Sequence, residues 1–571
     1  MVWLLGASLL VPLLGASLLG MRRGWRGRLP GAMPWAALPA LALALFGTPD
    51  LSIDIPWMLL GLRFGLDQTG QFFLLFTALL WLIAGGYARG YLADDPRAAR
   101  FAGFFLITCT GNLGLILAQD VAGFYLFYAL MTFAAYGLIV HSGTPAARRA
   151  GRVYIVMAVL GEALLLLAFL QLVNLAGGGI AQAAAALATA PGREPVIALL
   201  LAGFGIKAGA LLLHMWLPLA HPVAPTPASA VLSGTMIKAG LLGWLRFLPL
   251  GMTASDLGLL LMFAGLAAAF YGVAVGLVQR DTKVILAYSS ISQMGFMNAG
   301  VGLGLHAPEV WPLMLPAVTL YALQHALTKG ALFLGVGVIG SADGARRSVL
   351  LGSGLLALAL AGTPFTAGAW AKQVLKDAAA PTAWAAPLTP LLTLAALGTT
   401  LLMARFLWRL ARTEADAHRP STGRMRALWW LAATLALTPV GWLPLVGTLA
   451  SAPPSFKADW TGIWPVVAGG VLAYGFGRAL LRKGWSLPNI EPGDLLWPLL
   501  RVGAGLSRKP ALLGRSGFVS ERLQARSALP VDVASRWEWL EGRLSGSAVN
   551  GALLLLCVAL LAVLLALGVH V

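Results

Sequence analysis

The feature that most restricts this chain is a succession of apolar runs of bilayer-spanning length, recurring from its first residues to its last. Roughly 20 mostly apolar residues are needed for a helix to cross the hydrocarbon core. Runs of this kind lie near 2–20, 32–47, 71–92, 101–118, 121–141, 152–174, 195–217, 225–249, 256–279, 283–304, 310–338, 348–376, 386–412, 425–449, 462–482 and 547–570. The sequence therefore predicts an all-α polytopic membrane protein of about 16 transmembrane helices. With only 11% charged residues in 571, it could not cover several soluble domains.

The formal net charge is +18. In a soluble chain that balance would suggest nucleic acid, but here the basic residues sit between apolar runs, so no nucleic-acid partner is expected. Of the 40 lysines and arginines, 31 fall in alternate connections and only 5 in the others. This bias predicts an external N-terminus and cytoplasmic basic loops. The arginines of the first run follow it, which argues for a spanning helix over a cleaved secretory signal. Cys109 and Cys557 lie far apart in apolar stretches, so neither a disulfide framework nor a thiolate metal site is expected.

Four basic residues remain. Lys207, Lys238, Lys329 and Lys372 lie deep within apolar runs, where each costs about 2.5–3.5 kcal/mol on insertion scales. Such a lysine could be structural glue, snorkelling or paired with a carboxylate. Four would call for matching acids, and the apolar spans supply essentially one, Glu162. His214 and His325 add imidazoles, His325 one helical turn from Lys329 and His214 two turns from Lys207 if that helix runs on. A row of desolvated amines and imidazoles can take up and release protons, so the pattern predicts a proton wire. Pro218 and Pro222 after Lys207, and Gly362, Pro364 and Gly368 before Lys372, predict two interrupted helices and an internal repeat with a site in each half.

The stretch LLLAGFGIKAGALLLHMWLPLAHPVAPTPASAVLSGTMIKAG (199–240) resembles the signature of the antiporter-like membrane subunits of respiratory complex I, membrane-bound hydrogenases and multisubunit cation/proton antiporters. The likeness continues through DTKVILAYSSISQMGF (281–296), LQHALTKGALFLGVG (323–337) and GTPFTAGAWAKQVLKD (362–377), covering about residues 70–410. It implies a 14-helix core with two inverted five-helix repeats and broken helices 7 and 12, placed here at 1–450. It also implies a bacterial inner-membrane location, partner subunits of a larger complex, and protons, with Na+ as a further candidate, as the cargo. On matching positions it implies a translocation path through Glu162, Lys207, Lys238, His325, Lys329 and Lys372, with His214 and Lys283 as accessory polar groups.

Three positions depart from the family. In FYLFYALMTFAAYGLIV, Ala129 stands where the family usually has the helix-5 glutamate that pairs with the helix-7 lysine. Either Glu162 takes over as partner of Lys207, or the first half-channel works differently or not at all. Leu212 replaces a helix-breaking proline, and Tyr321 stands where some relatives have a further histidine.

The extension 451–571 is expected to hold helix 15, a basic cytoplasmic-side segment (484–546) and a final helix (547–570). Five prolines in the basic segment exclude one long lateral helix, and VDVASRWEWLEGRLS (531–545) reads as a surface helix or a solvated loop. No flavin, haem or iron–sulfur ligand pattern is present, so the chain is expected to be a transporter-type subunit without cofactor or metal, not an enzyme. The alternatives are a non-pumping structural subunit of the same fold, for which Ala129 is the motive, and the energy-coupling partner of an inorganic-carbon uptake complex.

Overall fold

Side-chain caps start many of the helices: Asp67, Asp120, Thr144, Asp281, Thr366 and Thr422 each accept a first-turn N–H of the helix that follows. The computed structural model describes residues 1–18, 27–49, 51–58, 61–341, 346–414, 422–438, 462–483, 488 and 490–493. Over these the chain is predominantly helical. In order come α1 (Val2–Ser17), α2 (Leu29–Phe46, with a 3-10 turn at Met33–Trp35), α3 (Gln68–Tyr91), α4 (Ala98–Leu117), α5 (Val121–Ile139) and α6 (Pro145–Ala176). Next are α7 (Ile180–Thr189), α8 (Glu194–Ala208), α9 (Trp216–Val223), α10 (Thr226–Phe247), α11 (Leu257–Val278) and α12 (Thr282–His306). Then follow α13 (Trp311–Ile339), α14 (Arg346–Ala361), α15 (Ala367–Ala379), α16 (Ala385–Ala411), α17 (Gly423–Leu437) and α18 (Ile463–Lys483).

Nine helices among the described residues are long and apolar enough to cross a membrane. The other expected spans miss that mark for visible reasons. The runs at 195–217 and 348–376 are each split in two, into α8 with α9 and α14 with α15. Helix α1 has 16 residues and α12 carries Ser289, Ser290, Ser292, Gln293 and Asn298, while α18 covers the expected run at 462–482 with residues 480 and 481 not fully described. The end of the run at 425–449, the basic segment 484–546 except for 488 and 490–493, and the helix at 547–570 lie outside the described residues. Two elements were not anticipated: α7, and an antiparallel hairpin β1 (Ser52–Ile55) with β2 (Leu62–Gly65), paired from Ser52↔Gly65 to Ile55↔Leu62.

Helices α11 and α12 pack backbone to backbone because of a glycine ladder. Gly258, Gly265 and Gly272 recur every seventh residue, and a methyl added at any of them would stand 2.6 Å from an α12 backbone oxygen, that of Gly302, Gly295 or Tyr288. Without a driving force from water, such close approach is a main source of helix association in a bilayer. It buries the polar face of α12 in the middle of the bundle.

A second anchor is ionic. Arg246, buried in the last turn of α10, donates to the carbonyls of Ile116 (2.7 Å) and Ala118 at the C-terminal end of α4, and to Asp67 Oδ1 (3.0 Å) at the start of α3. The guanidinium thus neutralises the negative end of one helix and the cap of another. Arg246→Ala should leave these acceptors unpaired and cost about 3 kcal/mol, read as a lower thermal unfolding temperature of the purified protein in detergent.

Beyond the spans, the connection after α3 is tied to the end of α5. His141 Nε2 lies 2.9 Å from Asp95 Oδ2, while Arg97 (3.2 Å) and Arg100 (2.7 Å) donate to the His141 carbonyl. Burial pushes the imidazole below its ordinary 6.5, against the opposing pull of Asp95. Partial burial opposes ionisation of Asp95, but the His141 hydrogen bond and the Arg97 N–H hold its carboxyl below 3.8. Both groups bind fewer protons folded than unfolded, so the stability they add is present above pH 6.5 and is lost as pH falls, His141 first. Amide exchange of residues 95–100 and 140–143, corrected for its intrinsic rate, should rise between pH 7.5 and pH 5. In His141→Phe that rise should be absent.

Candidate functional site

Three of the four buried lysines, Lys207, Lys238 and Lys372, lie at or beside a helix irregularity, and Lys329 lies within the continuous helix α13. Helix α8 stops at Gly209, which takes φ +67, and Leu212 also adopts a left-handed φ of +70. The carbonyls freed there are met locally: Ala210 N donates to Gly205 O (2.9 Å) and Trp216 Nε1 to Ile206 O (2.7 Å). Pro218 and Pro222 lie downstream within α9, so the break comes from Gly209 and Leu212 and not from those prolines. It also separates Lys207 from His214. The two are not on one helix face, and the His214 ring packs edge-on against Tyr271 at 5.3 Å.

Lys207 lies in the last turn of α8 inside three aromatic rings, with Nζ 5.8 Å from Tyr128, 5.1 Å from Tyr154 and 5.9 Å from Trp216. It donates to Tyr154 Oη (3.1 Å), which in turn donates to the Thr132 carbonyl (2.8 Å). Glu162 is buried on α6, brought alongside by the close approach of Gly161 and Gly203. It is the electrostatic partner of Lys207, yet no carboxylate–ammonium contact within 4.0 Å joins them. Among the described residues, no hydrogen bond within 3.5 Å reaches either Glu162 carboxyl oxygen, and besides Lys207 the polar side chain that acts on the carboxyl is Thr132. Tyrosine and aromatic faces, not a carboxylate, hold the Lys207 ammonium.

A second group gathers around α10, α12 and α13. Helix α10 loosens into a π turn at Leu232–Met236, and Lys238, fully buried, donates to the Ser233 carbonyl (2.8 Å). Ser233 and Ser290 hydroxyls join α10 to α12 at 2.8 Å. Lys329, also fully buried, donates to the Leu286 carbonyl of α12 (2.9 Å). His325 lies within electrostatic reach of both Lys238 and Lys329, and neither ring nitrogen has a hydrogen-bond partner among the described residues. His221 on α9, stacked on Phe333 at 4.6 Å, lies within reach of Lys329 and Lys283. Lys283 donates to Ala224 O (2.7 Å) just past the end of α9.

Lys372 stands apart at the second break. Gly362 (φ +96) and Phe365 (φ +66) turn the chain between α14 and α15, and Lys372 Nζ takes the last carbonyls of α14, Leu360 (2.7 Å) and Ala361 (2.9 Å). Its ammonium lies 5.4 Å from the Phe296 ring, which stacks on Tyr321. Tyr321 donates to Gln293 Oε1 (2.9 Å), and Gln293 donates to Thr399 Oγ1 (3.1 Å). Tyr321, where some relatives have histidine, therefore supplies a hydroxyl to this polar file.

The structure thus brings Glu162 to Lys207, and Lys238, His325 and Lys329 to one another, with His221 within reach of both Lys329 and Lys283. Sequence reasoning passed over His221, Tyr128, Tyr154, Trp216, Ser290 and Gln293. A histidine seven residues after His214 was the available signal for the first, while the aromatic box had none without the fold. Among the described residues, no three His, Cys, Asp or Glu side chains are grouped to hold a metal ion.

Residues 118–394 match the family model described as NADH:quinone oxidoreductase/Mrp antiporter, TM. Hydrogenase-4 component B of Escherichia coli is 33% identical over 296 residues, 50% of this chain, and the match spans only 44% of that relative's length. An uncharacterized Mycobacterium tuberculosis protein is 32% identical over 471 residues, 74% of this chain and 72% of its own. In fold, the chain is similar to a solved chain of the Mrp complex from Dietzia sp. DQ12-45-1b, with a TM-score of 0.70 at 23% identity over 94% of this chain and 63% of that one.

The second break offers a direct test of how Lys372 is held. A methyl at Gly368 would collide with the Ala359 carbonyl oxygen, whereas one at Gly354, mid-way along α14, would meet nothing within 4 Å. Gly368→Ala should cost about 2 kcal/mol through overpacking. Gly354→Ala should be neutral, or stabilise by up to about 1 kcal/mol. Thermal unfolding of the two variants in detergent separates these outcomes.

Proposed function

We propose, from the premise that this chain belongs to the NADH:quinone oxidoreductase/Mrp antiporter family, that it is a cation/proton-translocating subunit of a larger membrane complex. Protons pass along Glu162, Lys207, Lys238, His325, Lys329 and Lys372, with His214 and Lys283 as accessory groups. Residues 1–450 form a 14-helix core of two inverted five-helix repeats, and 451–571 an extension with helix 15 and a final sixteenth span. The N-terminus is external and the basic loops cytoplasmic, in a bacterial inner membrane.

The observation that carries this reading is how the buried amines are satisfied. Among the described residues, Lys238, Lys329 and Lys372 donate to backbone carbonyls and to no carboxylate. A carbonyl can still accept from a neutral amine, though more weakly than from an ammonium, so these lysines can lose and regain a proton without breaking a salt bridge. Charges on neighbouring lysines repel, so loading one favours emptying the next. At 4 Å and an effective dielectric of 20 a charge pair is worth about 4 kcal/mol, and moving one charge through 100 mV takes about 2.3 kcal/mol. One such interaction is large enough to gate one proton.

Ala129 favours a second reading, a structural subunit that keeps the fold without pumping. Proton flux decides between them, measured with a pH-sensitive dye in proteoliposomes holding the intact complex. Lys207→Ala, Lys238→Ala and Lys372→Ala should each lower the flux at least about tenfold, the cost of about 1.4 kcal/mol on the barrier. Full flux in all three favours the structural subunit. Glu162→Gln should also lower it, and adding Ala129→Glu should restore much of the loss if both positions serve Lys207.

A further inference from the structure

Three arginines surround one indole at the end of α16. The guanidinium carbons of Arg405, Arg409 and Arg412 lie 4.9, 5.7 and 4.0 Å from the centre of the Trp408 ring. The spacing puts Arg405, Trp408, Arg409 and Arg412 on one face of the helix. Neighbouring connections bring more positive charge. Arg405 donates to the Gln279 carbonyl (3.0 Å) and Arg409 to that of Arg280 (2.7 Å), while Arg346 donates to those of Ala411 (2.8 Å) and Thr413 (2.7 Å). The α11–α12 connection, the start of α14 and the end of α16 therefore meet at one end of the bundle, carrying Arg280, Arg346, Arg347, Arg405, Arg409 and Arg412.

Nothing in the described protein neutralises them. Asp281 is committed to the N–H groups of Lys283 (2.8 Å) and Val284 (3.0 Å), and Glu414 is exposed at the edge. Glu491 follows Ile490, whose carbonyl accepts from Gln279 (3.1 Å). Among the described residues, no carboxylate lies within 4.0 Å of any of the six guanidinium groups. Arg405 feels Arg409 and Arg280 as like charges, and its buried Nε has no partner among the described residues. Repulsion of this kind opposes the packed arrangement unless an anion joins it. The place of the cluster says which anion. It sits where an apolar span ends, with Trp408 37% exposed, as interfacial tryptophans are.

We propose that this cluster binds the phosphodiester headgroup of an anionic phospholipid of the surrounding bilayer. Arg405, Arg409 and Arg412 hold the phosphate through charge-assisted hydrogen bonds, and Trp408 lies at the level of the glycerol. The site is independent of the proposed proton path.

The test uses the purified full-length chain, stripped of lipid in neutral detergent and titrated with phosphatidylglycerol, phosphatidylcholine or inorganic phosphate. Bound lipid is counted by native mass spectrometry. Phosphatidylglycerol should be retained and phosphatidylcholine should not. Arg412 is exposed and its side chain holds no hydrogen bond among the described residues, so Arg412→Gln leaves the fold intact. It should weaken phosphatidylglycerol binding about fivefold, and Arg409→Gln with Arg412→Gln about 25-fold. Arg152→Gln, on the exposed face of α6, should change nothing. Equal binding of the two lipids, or unchanged binding in the double variant, overturns the proposal. Displacement of lipid by equimolar inorganic phosphate would mark a free-anion site instead. Unchanged lipid binding in the double variant, with fewer subunits co-purifying when that variant is expressed within the intact complex, would overturn the lipid reading and assign the cluster to a protein partner.

Discussion

An amine carried into a bilayer must find oxygen, and in this protein nearly all of that oxygen comes from the backbone. A regular helix offers little, because each carbonyl in its interior already accepts an N–H from four residues on. It has one lone pair to spare, as that of Leu286 does for Lys329. The carbonyls that accept from Lys372, Lys283 and Arg246 all stand at or just beyond helix ends, and that of Ser233 lies in a π turn. Helix ends inside the bundle would leave orphan acceptors; long basic side chains would otherwise be buried without acceptors. Each resolves the other's cost, and the glycine ladder that closes α11 onto α12 keeps the resulting polar interior shut away from lipid.

Lys207 is the exception that follows from one residue. With alanine at 129, helix α5 offers the ammonium no carboxylate, and what it offers instead is the ring of Tyr128, one position earlier. Tyr154 and Trp216 complete the box, and Glu162 acts across a gap. An aromatic box favours the charged amine, as a carboxylate would, but it cannot itself take up the proton that the amine gives away. In the proposed path, the first lysine would therefore hand its proton to Glu162 or receive one from it without a direct salt bridge.

Spanning length and the misplaced lysines were plain in the sequence because both are one-dimensional: a run of apolar residues, and a charge inside it. The positions of Lys207, Lys238, Lys329 and Lys372 on helices follow directly. The second break falls at Gly362, one of the residues that marked it, but the first was placed less well. Prolines drew attention to 218 and 222, whereas the chain turns at Gly209 and at Leu212, a residue with no preference for left-handed backbone. The π turn has no composition of its own, and the hairpin at 52–65 is too short to show an alternating pattern. Tyr128 and Tyr154 come from different helices and meet only through tertiary packing. The glycine period of seven along α11 was there to be read, and it specifies the partner helix better than hydropathy does.

The π turn at Leu232–Met236 also fixes a phase. One extra residue is accommodated there, so everything after it is rotated about 100° relative to an unbroken α-helix. Lys238 and Arg246 both lie downstream. One faces the buried serines of the interior, and the other reaches the ends of α3 and α4. A single-residue deletion within that turn would straighten the helix while swinging both cations away from their oxygens together. The irregular turn is thus the register mark of α10, and sequences that vary in length at this point would be expected to compensate on both sides or not to fold this way at all.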